Sequence, residues 1–118
     1  MDRKLEELKQ NILKFREERD WKQFHNPKNL AISIAIEASE LMELYQWLNP
    51  EQSTEFSKEK KNEIADEMAD IFNYLILLSN DLGIDLVKVT SDKLEKSAKK
   101  YPVDRAKGNS TKYNKYKK

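Results

Sequence analysis

Pro27, Pro50, Gly83, Pro102 and Gly108 are the only prolines and glycines among 118 residues, and they stand between segments of helix length. Two glycines leave little material for tight turns, which excludes a sandwich or barrel of many hairpins. Inside the segments the apolar spacing is helical. Leu5, Leu8, Ile12 and Phe15 recur at steps of three and four. Asn26-Pro27 reads as an N-cap with proline at the first helical position. A second helix then carries Leu30, Ile34, Leu41, Tyr45 and Leu48 on one stripe, and Asn49-Pro50 ends it. The polar stretch 51–61 reads as a loop or short turn. A third helix is expected from about Lys60 to Leu82, with Ile64, Met68, Ile71, Leu75 and Leu78 inward and Gly83 in the left-handed C′ position. Asp85 caps a fourth, to about Lys100. The expected fold is an all-α four-helix bundle over 1–102, followed by a basic, flexible tail over 103–118. The run Ile71–Leu78 is apolar nearly all round. It is either the central helix of a monomer or a helix that also meets a second subunit, and the small size of the bundle favours the second.

Other classes are excluded by what is missing. No cysteine is present, so a disulfide scaffold or thiolate metal site is excluded and a reducing compartment fits. Met1-Asp2-Arg3-Lys4 leads into an amphipathic stretch rather than an apolar one, so no secretory leader is expected. No run approaches the ~20 apolar residues of a membrane span. A cytoplasmic protein without membrane association is expected.

The net charge of +1 hides a pattern. No Lys or Arg occurs in 29–57 or in 62–87, yet these windows hold eleven acids. A solvated helix would set cations four residues from its acids. Glu37 and Glu67 instead interrupt the apolar stripes of helices two and three. Unpaired carboxylates there are costly, so either a side chain from another helix or a bound cation must neutralise them. Glu37 and Glu40 are three apart, as are Glu67 and Asp70, with Glu63 a turn before Glu67. Two antiparallel helices presenting such pairs make an all-oxygen site suited to Mg²⁺ or Mn²⁺. Trp47 lies seven after Glu40 and Tyr74 seven after Glu67, while Trp21, Phe24 and His25 precede helix two. On spacing alone these rings and the single histidine are ordinary packing. Beside a carboxylate site they would suit a base with a phosphate tail.

The run Arg19-Asp20-Trp21-Lys22-Gln23-Phe24-His25-Asn26-Pro27, the ExxE of Glu37 and Glu40 with Tyr45-Gln46-Trp47, the ExxD of Glu67 and Asp70 with Tyr74, and Tyr101-Pro102 occur in order. Together they resemble the dCTP pyrophosphatases among the MazG-like nucleoside triphosphate pyrophosphohydrolases. The resemblance spans about residues 15 to 113. It implies a helical bundle assembling as a homodimer or homotetramer, and Mg²⁺-dependent hydrolysis of a nucleoside triphosphate, dCTP or a modified dCTP, to monophosphate and pyrophosphate. It implies Glu37, Glu40, Glu67 and Asp70 as metal ligands, with Glu37 or Glu40 orienting or deprotonating the water. Trp21, His25, Trp47 and Tyr74 would surround the base. Lys96 and Lys100 are candidates to meet phosphate, although a solvated basic helix end favoured by the dipole is the simpler reading of both. Asp66 replaces the first of two adjacent glutamates common in relatives, and Ser97 stands where an amide is usual. Hydrolysis of dUTP or of many dNTPs on the same scaffold is the close alternative. The distant one is a non-enzymatic helical module whose tail, net +5 over 103–118 with Tyr113 and Tyr116 interleaved, binds nucleic acid. A solvated basic tail is the simpler reading, so a nucleic-acid partner is not expected.

Overall fold

The computed structural model describes residues 3–116. Residues 1–2, part of the start read as carrying no leader, and 117–118 of the basic tail lie outside the described residues. The described chain is all-α, with no strand. It divides into two compact units between Ile84 and Asp85. Among the described residues, no helix is long and apolar enough to cross a membrane.

The first unit holds α1 (Arg3–Glu18), α2 (Pro27–Tyr45), α3 (Pro50–Glu59) and α4 (Lys61–Asp81). The ends follow local chemistry. After α1, Asp20 takes the left-handed conformation at φ 54°. Trp21 N–H donates to the Arg16 carbonyl at 3.1 Å and Asp20 N–H to the Glu17 carbonyl at 3.0 Å, the paired bonds of a Schellman end. Asn26 Oδ1 accepts from Asn29 N–H at 2.8 Å and Pro27 opens α2. Gly83, at φ 67°, closes α4 the same way. Ile84 N–H reaches the Ser79 carbonyl at 2.8 Å and Gly83 N–H reaches that of Asn80 at 3.1 Å.

The loop expected over 51–61 is instead α3, a correction with a clear cause. Asn49 Oδ1 accepts from Gln52 N–H at 2.8 Å while Gln52 Oε1 accepts from Asn49 N–H at 3.0 Å. This capping box with Pro50 at the first position starts a helix whatever its polarity. The helix holds on through one face: the Phe56 ring meets Tyr45 edge-on at 5.6 Å, and Ser57 Oγ is 2.6 Å from the Tyr45 hydroxyl.

Three helices, α1, α2 and α3, pack on α4. Leu30 is fully buried, and Ile76 and Leu77 of α4 are 3% exposed; a buried leucine contributes about 1.5–3 kcal/mol. Arg16 is the most deeply buried charged residue among the described residues, 6% exposed. The all-round apolarity of α4 is only partly used within the chain. Met68 (57% exposed) and Phe72 (40%) lie open, and with Leu41, Ala65, Ile71 and Leu75 they line a groove of about 540 Å³.

The second unit holds α5 (Leu86–Lys100), α6 (Val103–Ala106) and a 3₁₀ turn, Tyr113–Lys115. Asp85 caps α5 by accepting from Lys88 N–H at 3.1 Å. In 103–116 of the compositional tail, Tyr113 and Tyr116 meet Tyr101 edge-on at 5.9 and 6.0 Å.

Candidate metal centre and adjoining pocket

The eleven acids of the two cation-free windows sort themselves by what reaches them. Glu55 and Glu63 pair on the surface with Lys58 and Lys60 just outside the windows, at 3.8 and 3.9 Å. Asp81 is neutralised from another helix. The Arg16 guanidinium takes both its oxygens at 2.8 Å, and Lys22 Nζ lies 3.4 Å away. The Arg16 guanidinium holds the Asp81 carboxyl below the usual carboxylate range, against the opposing effect of burial. Sequence reasoning missed this pair, although Arg16 sits four after Ile12, on the apolar stripe of α1, where an arginine needs a partner.

Asp85 caps α5, and Glu43, Glu51 and Asp66 are exposed; the acids that cluster lie between α2 and α4. Glu37 from α2 and Glu67 and Asp70 from α4 each bring a carboxylate oxygen within 4.8 Å of the other two. Glu37 and Glu67 are half-buried, and one oxygen of each is buried without a hydrogen-bond partner. Glu40, on the exposed side, crowds both. Burial, then Glu40, then Asp70 and Glu67, push the Glu37 carboxyl up to about 7. Burial and the charges of Glu40 and Asp70 raise Glu67 as well. Like charges at this separation oppose one another, so the arrangement is unfavourable unless protons or a cation intervene. Orphaned buried oxygens and an all-carboxylate donor set fit a hard divalent cation, and Glu37, Glu67 and Asp70 are the residues that would hold it, with Glu40 beside them.

A pH dependence follows. Without a cation, folded Glu37 keeps a proton that the unfolded chain releases, so ionisation favours unfolding between the ordinary carboxylate range and about pH 7. His25, held below its ordinary value by burial and by Arg16, works the other way below pH 6.5. The wild type minus Glu37→Gln difference in stability, measured in chelator, isolates the carboxylate. It should fall from pH 5 to 8 and level off above. A difference that rises with pH would contradict the crowding.

Next to the acids lies an aromatic pocket. Tyr74 follows Asp70 by one turn of α4. Its ring meets His25 edge-on at 6.4 Å, and Trp21 meets Phe15 edge-on at 5.7 Å. Trp21, His25, Asn73, Tyr74 and Leu77 line a small cavity there with Arg16. His25 Nδ1 is buried without a partner. Three of the expected base-contacting residues are therefore together, one helical turn from the acids. Trp47 is not with them. It is 86% exposed beyond the C-terminal end of α2, whereas Trp21 and His25 precede its N-terminal end, and 19 residues of helix span about 28 Å. Lys96 and Lys100 stand exposed on α5 in the second unit, with Lys100 Nζ 4.9 Å from the Tyr113 ring centre.

A model of the MazG-like family matches residues 32–115, which takes in all four acids. Among curated relatives, dCTP pyrophosphatase 1 of Bos taurus is 33% identical over 111 residues, 92% of this chain and 66% of the relative. That of Homo sapiens is 32% identical over the same share of this chain and 65% of its own. The chain thus spans just under two thirds of these relatives. A pyrophosphatase of known structure from Archaeoglobus fulgidus superposes with a TM-score of 0.83 at 37% identity, covering 86% of this chain and 95% of that one.

Proposed function

The chain belongs to the MazG-like family, and from that footing we propose that it is a nucleoside triphosphate pyrophosphohydrolase that uses Mg²⁺, with Mn²⁺ as a substitute, and prefers dCTP or a modified dCTP. The observation that carries the reading is the facing trio Glu37, Glu67 and Asp70 with two orphaned buried oxygens, one turn from a pocket of three aromatic rings. Relatives named dCTP pyrophosphatase support the substrate.

The reaction joins water to the α-phosphorus and breaks its bond to the oxygen bridging to the β-phosphate, giving monophosphate and pyrophosphate. The bound cation supplies neutralisation of the triphosphate charge and a lowered pKa for water. The chain's own residues supply position. Glu37, Glu67 and Asp70 would hold the cation. Glu40 lies beside the trio rather than within it, which favours it over Glu37 for orienting the attacking water and taking its proton. Trp21, His25 and Tyr74 hold the base, so the α-phosphate rests over the acids one turn away.

The open face of Met68 and Phe72 supports a homodimer or a homotetramer, with a second copy covering the groove on α4. The same assembly would give the exposed Trp47 a surface to meet. A panel of nucleoside triphosphates with Mg²⁺ tests the activity. Monophosphate and pyrophosphate should appear in equal amounts, fastest from dCTP. Release of single phosphate, or none from any nucleotide, would overturn it. The same preparation should scatter light as twice or four times the chain mass, and a fully active monomer would overturn the assembly.

A further inference from the structure

The aromatic pocket contains a polar group that packing does not explain. Along the run Ile71–Leu78, Asn73 and Tyr74 are the only residues with polar side-chain atoms. Asn73 lies three after Asp70 and lines the cavity beside His25. Asn73 is half-buried, and its amide makes no hydrogen bond to another described residue, so it is open to water or to a guest. A leucine there would continue the apolar helix, whereas an amide offers donors and an acceptor at the wall of the pocket. The neighbouring charges are already committed. Arg16 holds both oxygens of Asp81, and Lys22 lies against the same carboxylate. Asn73 and the bare His25 Nδ1 are therefore free to bond a guest, alongside the Tyr74 hydroxyl and Trp21 indole N–H that line the same cavity.

The enclosed space is about 30 Å³, room for one water and not for an aromatic ring. The wall that can yield is Trp21, which is 44% exposed and stands on the linker between α1 and α2 rather than on a helix. A space that small favours a single six-membered ring over a fused pair. An amide also presents a donor and an acceptor side by side, the complement of a base edge with an adjacent acceptor and donor.

We propose that Asn73 is a specificity-determining residue: its amide, beside His25 Nδ1, hydrogen-bonds the edge of a pyrimidine base admitted by outward movement of Trp21. The inference rests on the pyrophosphohydrolase reading and names what that site discriminates. A site built to bond a polar edge loses far more when that bond is removed than an apolar pocket loses from a missing methylene.

The test compares wild type, Asn73→Leu and Asn73→Ser on the four dNTPs with Mg²⁺, with pyrophosphate release giving kcat and KM. Wild type should favour a pyrimidine nucleotide. Both variants should lose about 10- to 100-fold in kcat/KM on that substrate, mostly through KM, and under about threefold on the purine nucleotides, so that the ranking flattens. Asn73→Leu should melt at or near wild type, because leucine continues the apolar run of its neighbours. Asn73→Ser, too short to reach a base, guards against a repacking effect of leucine. An unchanged ranking in both variants, or an equal loss on every nucleotide, would overturn the role of Asn73 while leaving the activity standing. A wild type inert on all four would remove the activity and this inference together.

Discussion

Glu67→Gln and Asp70→Asn are expected to lower kcat/KM for nucleotide hydrolysis by about a hundredfold or more, while far-ultraviolet circular dichroism stays that of the wild type. Each removes a charged donor from the trio whose oxygens lie within 4.8 Å of one another. Loss of electrostatic stabilisation at a reacting phosphate typically has an effect of that size. The two readouts must diverge. In chelator the folded wild type holds crowded carboxylates together, with Glu67 made hard to ionise by burial and by Glu40 and Asp70. A neutral amide at 67 relieves that repulsion, so Glu67→Gln should melt at or above the wild type in chelator. A structural role would instead lower the melting temperature along with the activity. Full activity in both variants would remove these residues from the site.

The second large effect concerns stability. Arg16 and Asp81 join α1 to α4 through two 2.8 Å bonds with side chains 7% and 9% exposed. Such a pair adds little over a well-packed apolar pair, but breaking it leaves a charge buried alone. Asp81→Leu should therefore cost about 3–5 kcal/mol, a large part of the stability of a domain this size. Arg16→Met should cost less, because Lys22, already 3.4 Å from Asp81, remains to serve the carboxylate. The double variant should recover most of the loss, and denaturant unfolding of all three checks the order. The pair also sets an acid limit. Because Asp81 is held below the usual carboxylate range, its contribution is present above that range and is lost as pH falls through the lowered value. Equal and additive single losses would contradict the buried-charge explanation.

These two clusters show what the sequence made legible. The glycines and prolines marked the starts of α2 and α3 and the ends of α4 and α5, and Gly83 takes the left-handed φ that its position demanded, but the end of α1 at Asp20 and the junction of α3 with α4 carry neither residue. Residues 50–59 were not legible as a helix because their stripe is short, with Phe56 as its main apolar anchor. The reciprocal cap at Asn49 and Gln52 lies in the sequence, but a capping box needs helix-like periodicity beside it to be persuasive. The acidic windows pointed to the right pair of helices, yet counting charges along the chain could not separate Asp81 from Glu67. One has an arginine arriving from 65 positions away, and the other has none among the described residues. Spacing also carries no direction. Trp47 follows Glu40, and Tyr74 follows Glu67, by the same seven residues. Because α2 and α4 run antiparallel, those equal steps lead to opposite ends of the pair. Tyr74 reaches His25, and Trp47 is left in the open.

The most direct test of the cation site needs no nucleotide. Chelated protein at pH 8 is melted with increasing Mg²⁺, wild type beside Glu67→Gln. The expected result is a melting temperature that climbs with Mg²⁺ in the wild type and barely moves in Glu67→Gln, since binding to the folded state alone adds stability by mass action. A wild type indifferent to Mg²⁺, or an equal climb in both proteins, would contradict a divalent cation held between Glu37, Glu67 and Asp70.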